Sequence, residues 1–390
     1  MKATESHLRI AFLIDTAGNG GAEQVVCSLA QQLNHQGHTV KLFTTRAGWL
    51  TEKFTTLAIP FQVVSSRAGT DPFLSVRLSL AIAAFAPNLV HSHLLDGNFY
   101  GALSAWTLNL PHLATEHGDV HHFTRRRFLL TKIKLIRLTG ARFSAVSQFT
   151  SGALEELGIP ANLIRIIYNP VAVDSSPLRT DRPELLEALG IKPTENSSQP
   201  YPWIWLHAAN LRPVKNQRFL IEAFARSLHS SGKPQHLLIA GHGPELVALE
   251  KLAIRLDVAS YITFLGHRSD VQSLLRIADG FLFSSDIEAT PLAIIEAAAV
   301  GLPIVTTDVG GINEILGDNY PGLVKKGDLD SYATKMNDLI KAGRSNALDS
   351  RQLGATILAK YNIDRITKEY LQYYLFLLGR TPQFEPTVVK

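Results

Sequence analysis

From end to end this chain alternates short, almost wholly apolar runs with longer stretches of helical period, and it does so in two series. HLRIAFLI (7–14), TVKLFTT (39–45), PNLVHSH (87–93), PHLATEH (111–117) and ARFSAVS (141–147) read as strands of the first half. WIWLHA (203–208), QHLLIAG (235–241), YITFLG (261–266), GFLFSS (280–285) and PIVTT (303–307) repeat the rhythm in the second. A strand that is apolar on both faces has to be covered on both faces, and a parallel sheet flanked by helices is the arrangement that does so. Two such series imply two Rossmann-like α/β domains with doubly wound parallel sheets. The length of 390 residues agrees, being too long for one ordinary core and ample for two. Between 172 and 200 the rhythm breaks, where Pro177, Pro183, Pro193, Pro200 and the polar TENSSQ interrupt it. The expected division is therefore a first domain over 1–171, a linker over 172–200, a second domain over 201–362 and a C-terminal segment over 363–390.

Bulk properties exclude several classes. No run approaches the roughly 20 apolar residues that span a bilayer. The opening MKATESHLRIAFLID lacks the apolar core of a signal peptide, so a cytoplasmic protein is expected. A single cysteine, Cys27, rules out a disulfide within the chain and fits a reducing compartment. It sits among Val25, Val26 and Leu29 and reads as buried filler rather than a nucleophile. A formal net charge of +4 does not argue for nucleic acid.

Ligands of α/β domains bind where the C-terminal ends of strands open outward, so polar residues just after each strand carry the functional argument. In SSDIEATPLAIIEAAAVGLPIVTTDVGGINE (284–314), Glu288 and Glu296 are separated by seven residues that include Pro291, with Gly310 and Gly311 beyond. Glu296 lies in LAIIEAAAV, a helix apolar on nearly every face, where an ionised carboxylate is costly unless something binds it. Pro291 suits the first position of that helix, and Glu288 would precede a helix N-terminus whose free N–H groups meet a phosphate or sugar oxygen. Arg212 and Lys215 in LRPVK would stand at the start of another helix, two cations suited to a diphosphate leaving group. Gly241 and Gly243 would let backbone approach a ligand closely, although GHGP lacks the third glycine of a dinucleotide fingerprint. Gly20 and Gly21 join the first strand to the first helix and can turn backbone N–H groups toward phosphate. His91 and His93 would share one face of a strand. A metal held by His91, His93, His117 and His121 has no carboxylate or cysteine spacing behind it, so none is expected.

The Glu-x7-Glu pattern resembles the C-terminal signature of the GT-B glycosyltransferases of family 4, a large retaining family. The resemblance extends to GNGGAEQVVCSLAQQLNHQGHTV (18–40), AANLRPVKNQRFLIEAF (208–224), IAGHGPE (239–245) and ITFLGHRSDV (262–271), in the family's order. It implies two Rossmann-like domains facing a cleft, with the aromatic-rich helix near 363–379 crossing back to the N-terminal domain. It also implies a nucleotide-sugar donor, UDP- or GDP-linked, and no metal cofactor. By motif position Glu296 would accept hydrogen bonds from the ribose. Glu288 would hold hydroxyls of the transferred sugar beside the backbone of Ala289, Thr290, Pro291 and Leu292. Arg212 and Lys215 would take the diphosphate, with Asn210 standing where many members carry arginine. Gly266 and Arg268 would lie at the base, and His117 beside the transferred sugar as an electrostatic or hydrogen-bonding aid. His93 would touch the acceptor.

The acceptor implied is a glycan or a lipid-linked sugar, in cell-surface polysaccharide synthesis. FTRRRFLLTKIKLIRL (123–138) carries six basic residues among apolar ones and suits contact with an anionic membrane at the inner face of the cytoplasmic membrane, yet its charges do not segregate to one face at 100° per residue. Two alternatives stay open: a nucleotide-sugar 2-epimerase of the same fold, and a non-catalytic nucleotide-sugar-binding protein. Retention of configuration rests on the resemblance alone.

Overall fold

The computed structural model describes residues 7–66, 71, 73–118, 126–171, 181–194, 200–343 and 347–380. The chain divides into two compact units, one of residues 1–172 with 361–390 and the other of 173–360. In the first, β1 (Arg9–Ile14), α1 (Gly21–His35), β2 (Thr39–Thr44), α2 (Trp49–Thr56), β3 (Phe61–Val63), α3 (Leu74–Phe85) and β4 (Leu89–His93) are followed by α4 (Leu95–Thr107), β5 (His112–Glu116), α5 (Arg126–Leu138), β6 (Arg142–Ala145), α6 (Gln148–Glu156) and β7 (Ile164–Ile166). The seven strands pair in the order β3-β2-β1-β4-β5-β6-β7, every pairing parallel. The order reverses between β1 and β4, the switch point at which such sheets open a crevice.

The second unit begins with α7 (Arg182–Ala188), then β8 (Trp203–Ala208), α8 (Gln217–Ser231), β9 (Gln235–Ala240), α9 (Leu246–Arg255), β10 (Ile262–Gly266), α10 (Val271–Ile277) and β11 (Gly280–Phe283). It continues through α11 (Leu292–Ala299), β12 (Ile304–Asp308), α12 (Ile312–Leu316), β13 (Leu323–Lys325), α13 (Leu329–Ala342) and α14 (Ala347–Tyr361). Its sheet runs β10-β9-β8-β11-β12-β13, again all parallel. A last helix, α15 (Ile363–Leu377), belongs to the first unit. Ile366, Tyr370, Leu371 and Tyr374 of α15 pack into the same core as Val26, Leu29 and Leu33 of α1 and Phe12 of β1.

All ten strands expected from apolar runs are present, because the central strands are buried on both faces. The three missed, β3, β7 and β13, are edge strands of three residues each, too short and too exposed to announce themselves. The expected linker is a second difference. Residues 182–188 within it form α7, whose Arg182 donates to Asp279 at 2.8 Å and to the Ile277 carbonyl at 2.8 Å, tying the helix to the second unit. Residues 172–180 and 195–199 of that span lie outside the described residues.

Tight packing of polar side chains fixes the core between α15 and the first sheet. His91 on β4 has both ring nitrogens occupied, Nδ1 by the Tyr374 hydroxyl at 2.6 Å and Nε2 by the Thr115 hydroxyl at 2.7 Å. Such a satisfied buried histidine costs little and makes the docking of α15 specific. Cys27 is buried and free, as its apolar neighbours imply.

Candidate active site

In the second unit, two loops at the C-terminal ends of neighbouring strands are stitched into one surface. After β8 the chain passes through Ala209–Arg212 and a single 3-10 turn, Pro213–Lys215, before Asn216 enters the left-handed region (φ 49°) and caps α8 by accepting the Phe219 N–H at 3.3 Å. Arg212 and Lys215 thus precede the helix rather than opening it, because the caps fall at Asn216. After β11, Ser284 donates its hydroxyl to the Lys215 carbonyl at 2.9 Å and the Asp286 N–H reaches the Val214 carbonyl at 2.9 Å. Asn216 Nδ2 donates to Asp286 Oδ1 at 3.1 Å, and Lys326 Nζ donates to the Asp286 carbonyl at 3.2 Å. On this frame the Lys215 ammonium forms an ion pair with the Glu288 carboxylate, whose side chain is 9% exposed. Lys215 also sits over the Phe283 ring, 5.6 Å from its centroid. The Arg212 guanidinium is exposed and makes no hydrogen bond or ion pair among the described residues, so its charge is free for a ligand.

Glu288 is set by a glycine. Gly310 takes φ 59°, and a Cβ there would overlap the Glu288 carbonyl oxygen, so only glycine lets the two loops touch. Gly311 N–H then donates to the Ala289 carbonyl at 3.0 Å. Pro291 is the N-cap of α11 rather than its first residue, its carbonyl accepting from Ile294 at 3.2 Å and Ile295 at 3.3 Å. Ala289, Thr290 and Pro291 are buried and Leu292 is half-buried. One turn into α11, Glu296 stands among the buried Ile294, Ile295, Ala297, Ala298 and Ala299, and its carboxyl finds no partner among the described residues. Burial pushes its pKa up to about 7.

Gly241 and Gly243 let two loops meet. A Cβ on Gly241 would overlap the Ala209 carbonyl oxygen, and one on Gly243 would overlap that of Leu211. The two loops approach closely here, sealed by Leu211 N–H to the His242 carbonyl at 3.0 Å. Gly266 takes φ 62° and its carbonyl accepts the Gly241 N–H at 2.8 Å. Arg268 is engaged in a fork with Asp270, Nε to Oδ1 at 2.7 Å and Nη2 to Oδ2 at 2.6 Å. Asn210 is exposed, with its carbonyl accepting Gln217 Nε2 at 3.0 Å.

In the first unit the polar residues gather at the C-terminal ends of β1, β4 and β5. Gly20 is the N-cap of α1 and Gly21 its first residue, and the Glu23 carboxylate folds back against Gly20. His93 lies fully buried beneath His117, with its Nδ1 3.0 Å from His117 Nε2, so it cannot touch an acceptor in this structure. The His117 N–H donates to Glu116 Oε1 at 3.2 Å, and the Asn169 amide lies beside its ring. Burial lowers the His117 pKa to about 4, with Asn169 opposing, and holds His93 well below the ordinary histidine value. Glu116 is raised to about 7 by burial, and Asp15 is raised by burial and by Asp96. Both escaped sequence reasoning, although each stands at or just after a strand end. Among the described residues no group of three or more His, Cys, Asp or Glu is placed to hold a metal ion; His121 lies outside them.

The comparisons with known proteins cover both units. Residues 19–175 match the family described as Glycosyltransferase Family 4, and residues 191–352 match Glycosyl transferases group 1. The chain is 22% identical to the Escherichia coli UDP-Gal:alpha-D-GlcNAc-diphosphoundecaprenol alpha-1,3-galactosyltransferase, over 96% of this chain and 98% of that one. It is 27% identical to N-acetyl-alpha-D-glucosaminyl L-malate synthase of Bacillus anthracis over 60% of this chain, and spans 59% of that relative's length. Among solved structures, Anabaena Alr3699/HepE in complex with UDP-glucose superposes with a TM-score of 0.81 at 21% identity, covering 95% of this chain and 100% of that one. A Rickettsia africae glycosyltransferase superposes with a TM-score of 0.83 at 20% identity, covering 96% and 100%. With two matched segments that together take in most of the sequence and the GT-B architecture shared with these structures, the chain belongs to the group 1, family 4 glycosyltransferases.

Proposed function

We propose that the protein transfers a hexose or N-acetylhexosamine, with retention of configuration, from a UDP-sugar to a hydroxyl of a lipid-linked or glycan acceptor in cell-surface polysaccharide synthesis. The observation that carries this reading is the pair of carboxylates around the start of α11. Glu288 is already bonded to a cation that a diphosphate would need, and Glu296 is a partnerless carboxyl in apolar surroundings. Ribose hydroxyls donating to Glu296 would repay its burial, and sugar hydroxyls on Glu288 would release Lys215 toward the diphosphate. Arg212 and Lys215 then offset the charge that develops on the leaving group, in the role a metal fills elsewhere. Uridine is preferred over guanosine because the Anabaena structure of the same fold holds UDP-glucose and the E. coli relative is named for UDP-Gal. A thermal-shift series with UDP, GDP, ADP and their sugar conjugates tests it: UDP compounds should raise the melting temperature, and a rise with GDP or ADP alone would reassign the donor.

The lipid-linked acceptor draws support from α5. It buries Leu129, Ile133 and Ile136, while Phe128, Leu135 and Leu138 are exposed beside the exposed Lys134 and Arg137. Exposed apolar and basic residues together suit an anionic lipid surface. No described helix is long and apolar enough to cross a membrane, and residues 123–125 lie outside the described part. Cosedimentation with vesicles containing phosphatidylglycerol should fall when Leu135 and Leu138 are both changed to Asp; unchanged binding would remove α5 from the reading.

A further inference from the structure

The large apolar side chains that the first unit leaves exposed are not scattered. Among the described residues there are eight, and every one belongs to α3, α4 or α5. Phe73, the N-cap of α3, forms one stripe with Val76 and Leu80, Trp106 stands in the last turn of α4, and the other four lie on α5. Phe73, Leu80 and Trp106 are each about two-thirds exposed. Single exposed apolar residues are ordinary, but eight gathered on three helices mark an interaction surface. The three helices are neighbours on one face of the sheet. Ala11 and Leu13 of β1 pack with Leu78 and Ile82 of α3, and Ala114 of β5 packs with Leu129 and Ile133 of α5. The alternate residues Phe12 and Leu113 point the other way, into the core under α1 and α15. α4 packs against both α3 and α5, so the three lie side by side as one layer.

Charge collects on the same layer. Its helices hold six basic residues and one acidic residue, a net charge of +5 in a chain whose total is +4. The acidic residue, Asp96, is paired with Lys132, and the one charged residue of α3, Arg77, is paired with Asp71. The α3 stripe is thus neutral, and the basic charge is on α5. We propose that this three-helix layer lies flat on an anionic phospholipid bilayer, with α5 supplying the attraction and the α3 stripe and Trp106 entering the headgroup region. Indole suits that depth, because its ring is apolar and its N–H is polar. The inference rests on the α5 contact argued above and extends it to two further helices and a fixed orientation. A bilayer fits this surface better than a second copy of the chain does. A two-fold interface through the layer would set the basic α5 helices on one shared patch, where like charges repel. With the layer flat on a membrane, the strand ends that carry Asp15, Glu116 and His117 open sideways at the level of the headgroups. That is where the sugar of a lipid-linked acceptor would be presented.

The test uses the full chain and vesicles of phosphatidylcholine with phosphatidylglycerol. Partition into the vesicles should fall about tenfold or more when Val76 and Leu80 are both changed to Asp, with the melting temperature of the variant showing that it is folded. Vesicles carrying brominated phosphatidylcholine should quench part of the tryptophan emission of the native protein, and Trp106→Phe should remove that quenching. Unchanged partition in the Val76→Asp, Leu80→Asp variant, or quenching that survives in Trp106→Phe, overturns the proposal. The Leu135→Asp, Leu138→Asp variant keeps the two readings apart. Loss of binding there, with none in the α3 variant, leaves the α5 contact standing and refutes the layer, whereas no binding by the native protein refutes both. Sedimentation velocity without vesicles checks the other occupant: a dimer that Val76→Asp, Leu80→Asp dissolves would show a second copy on this face and would also overturn the proposal.

Discussion

Glu296 should make the ligand-free protein less stable as pH rises, and removing its charge should abolish that slope and weaken UDP binding. Its carboxyl is raised by burial from 4.5 to about 7. A raised acid favours folding in its protonated form, so this stabilisation is complete below pH 4.5 and is lost as pH rises through about 7. At about 1.4 kcal/mol per pKa unit, the shift costs about 0.8 kcal/mol at pH 5 and about 3 kcal/mol at pH 7, a change of about 2 kcal/mol. For a unit of this size that corresponds to about 4–8 °C in melting temperature. The melting temperature of Glu296→Gln minus that of the native protein should therefore widen by that amount between pH 5 and pH 7. Taking this difference of differences cancels the amide's own packing cost, and Glu116, which also titrates near 7, lies in the other unit and is common to both proteins. Adding UDP should reverse the ranking. Ribose hydroxyls donate to the ionised carboxylate, so the native protein gains about 2.7 kcal/mol at a hundredfold excess over Kd, while the variant binds about 10–100-fold more weakly. Parallel melting curves against pH in the two proteins would refute the burial argument. A full UDP shift in the variant would refute the ribose assignment.

Gly310→Ala should cost about 2–5 kcal/mol and abolish the UDP shift, since it meets both a left-handed φ and the Glu288 carbonyl. Gly317→Ala, at φ 92° but with open space around it, should cost only about 1 kcal/mol and keep the shift; equal losses would show that conformation and not the loop contact matters. Lys215→Met should lower kcat for UDP-sugar turnover about 10²–10³-fold while weakening UDP binding far less, because the ammonium acts on the departing diphosphate; a loss confined to KM would contradict that. Tyr374→Phe should destabilise the first unit by about 1–3 kcal/mol in denaturant titration, leaving His91 Nδ1 without its hydroxyl partner, with an unchanged m-value.

What could be read from the sequence divides along physical lines. The central strands were legible because burial on both faces writes an unbroken apolar run, the five-residue edge strand β10 because its run is as long as theirs, and Glu288, Glu296, Arg212 and Lys215 because charge after such a run is conspicuous. The three-residue edge strands carry no such signature. The helix over 182–188 hid among prolines, yet Pro183 is a good first-turn residue and marks a helix start as readily as a linker. Gly241 and Gly243 showed that something approaches the backbone closely without showing that it is another loop, since a glycine's tolerance does not name its neighbour. His93 was expected at the acceptor because it ends a strand. Its burial comes from Phe12 of β1, His91 beside it on β4 and His117 just beyond β5, which no local window contains.

The docking of α15 sets an order of events. The second unit is contiguous, complete between residues 173 and 360, whereas the core of the first lacks Ile366, Tyr370 and Tyr374 until α15 has been made. On a ribosome the unit that begins first is thus the last to be finished. Until then β4 presents His91 with one nitrogen unmatched and α1 with an uncovered apolar stripe, a state that invites chaperones or strays toward aggregation. Slow translation or truncation ahead of residue 363 would leave a complete second unit attached to an unfinished first one, and a cell would see it as a degradation substrate rather than as a weakened enzyme.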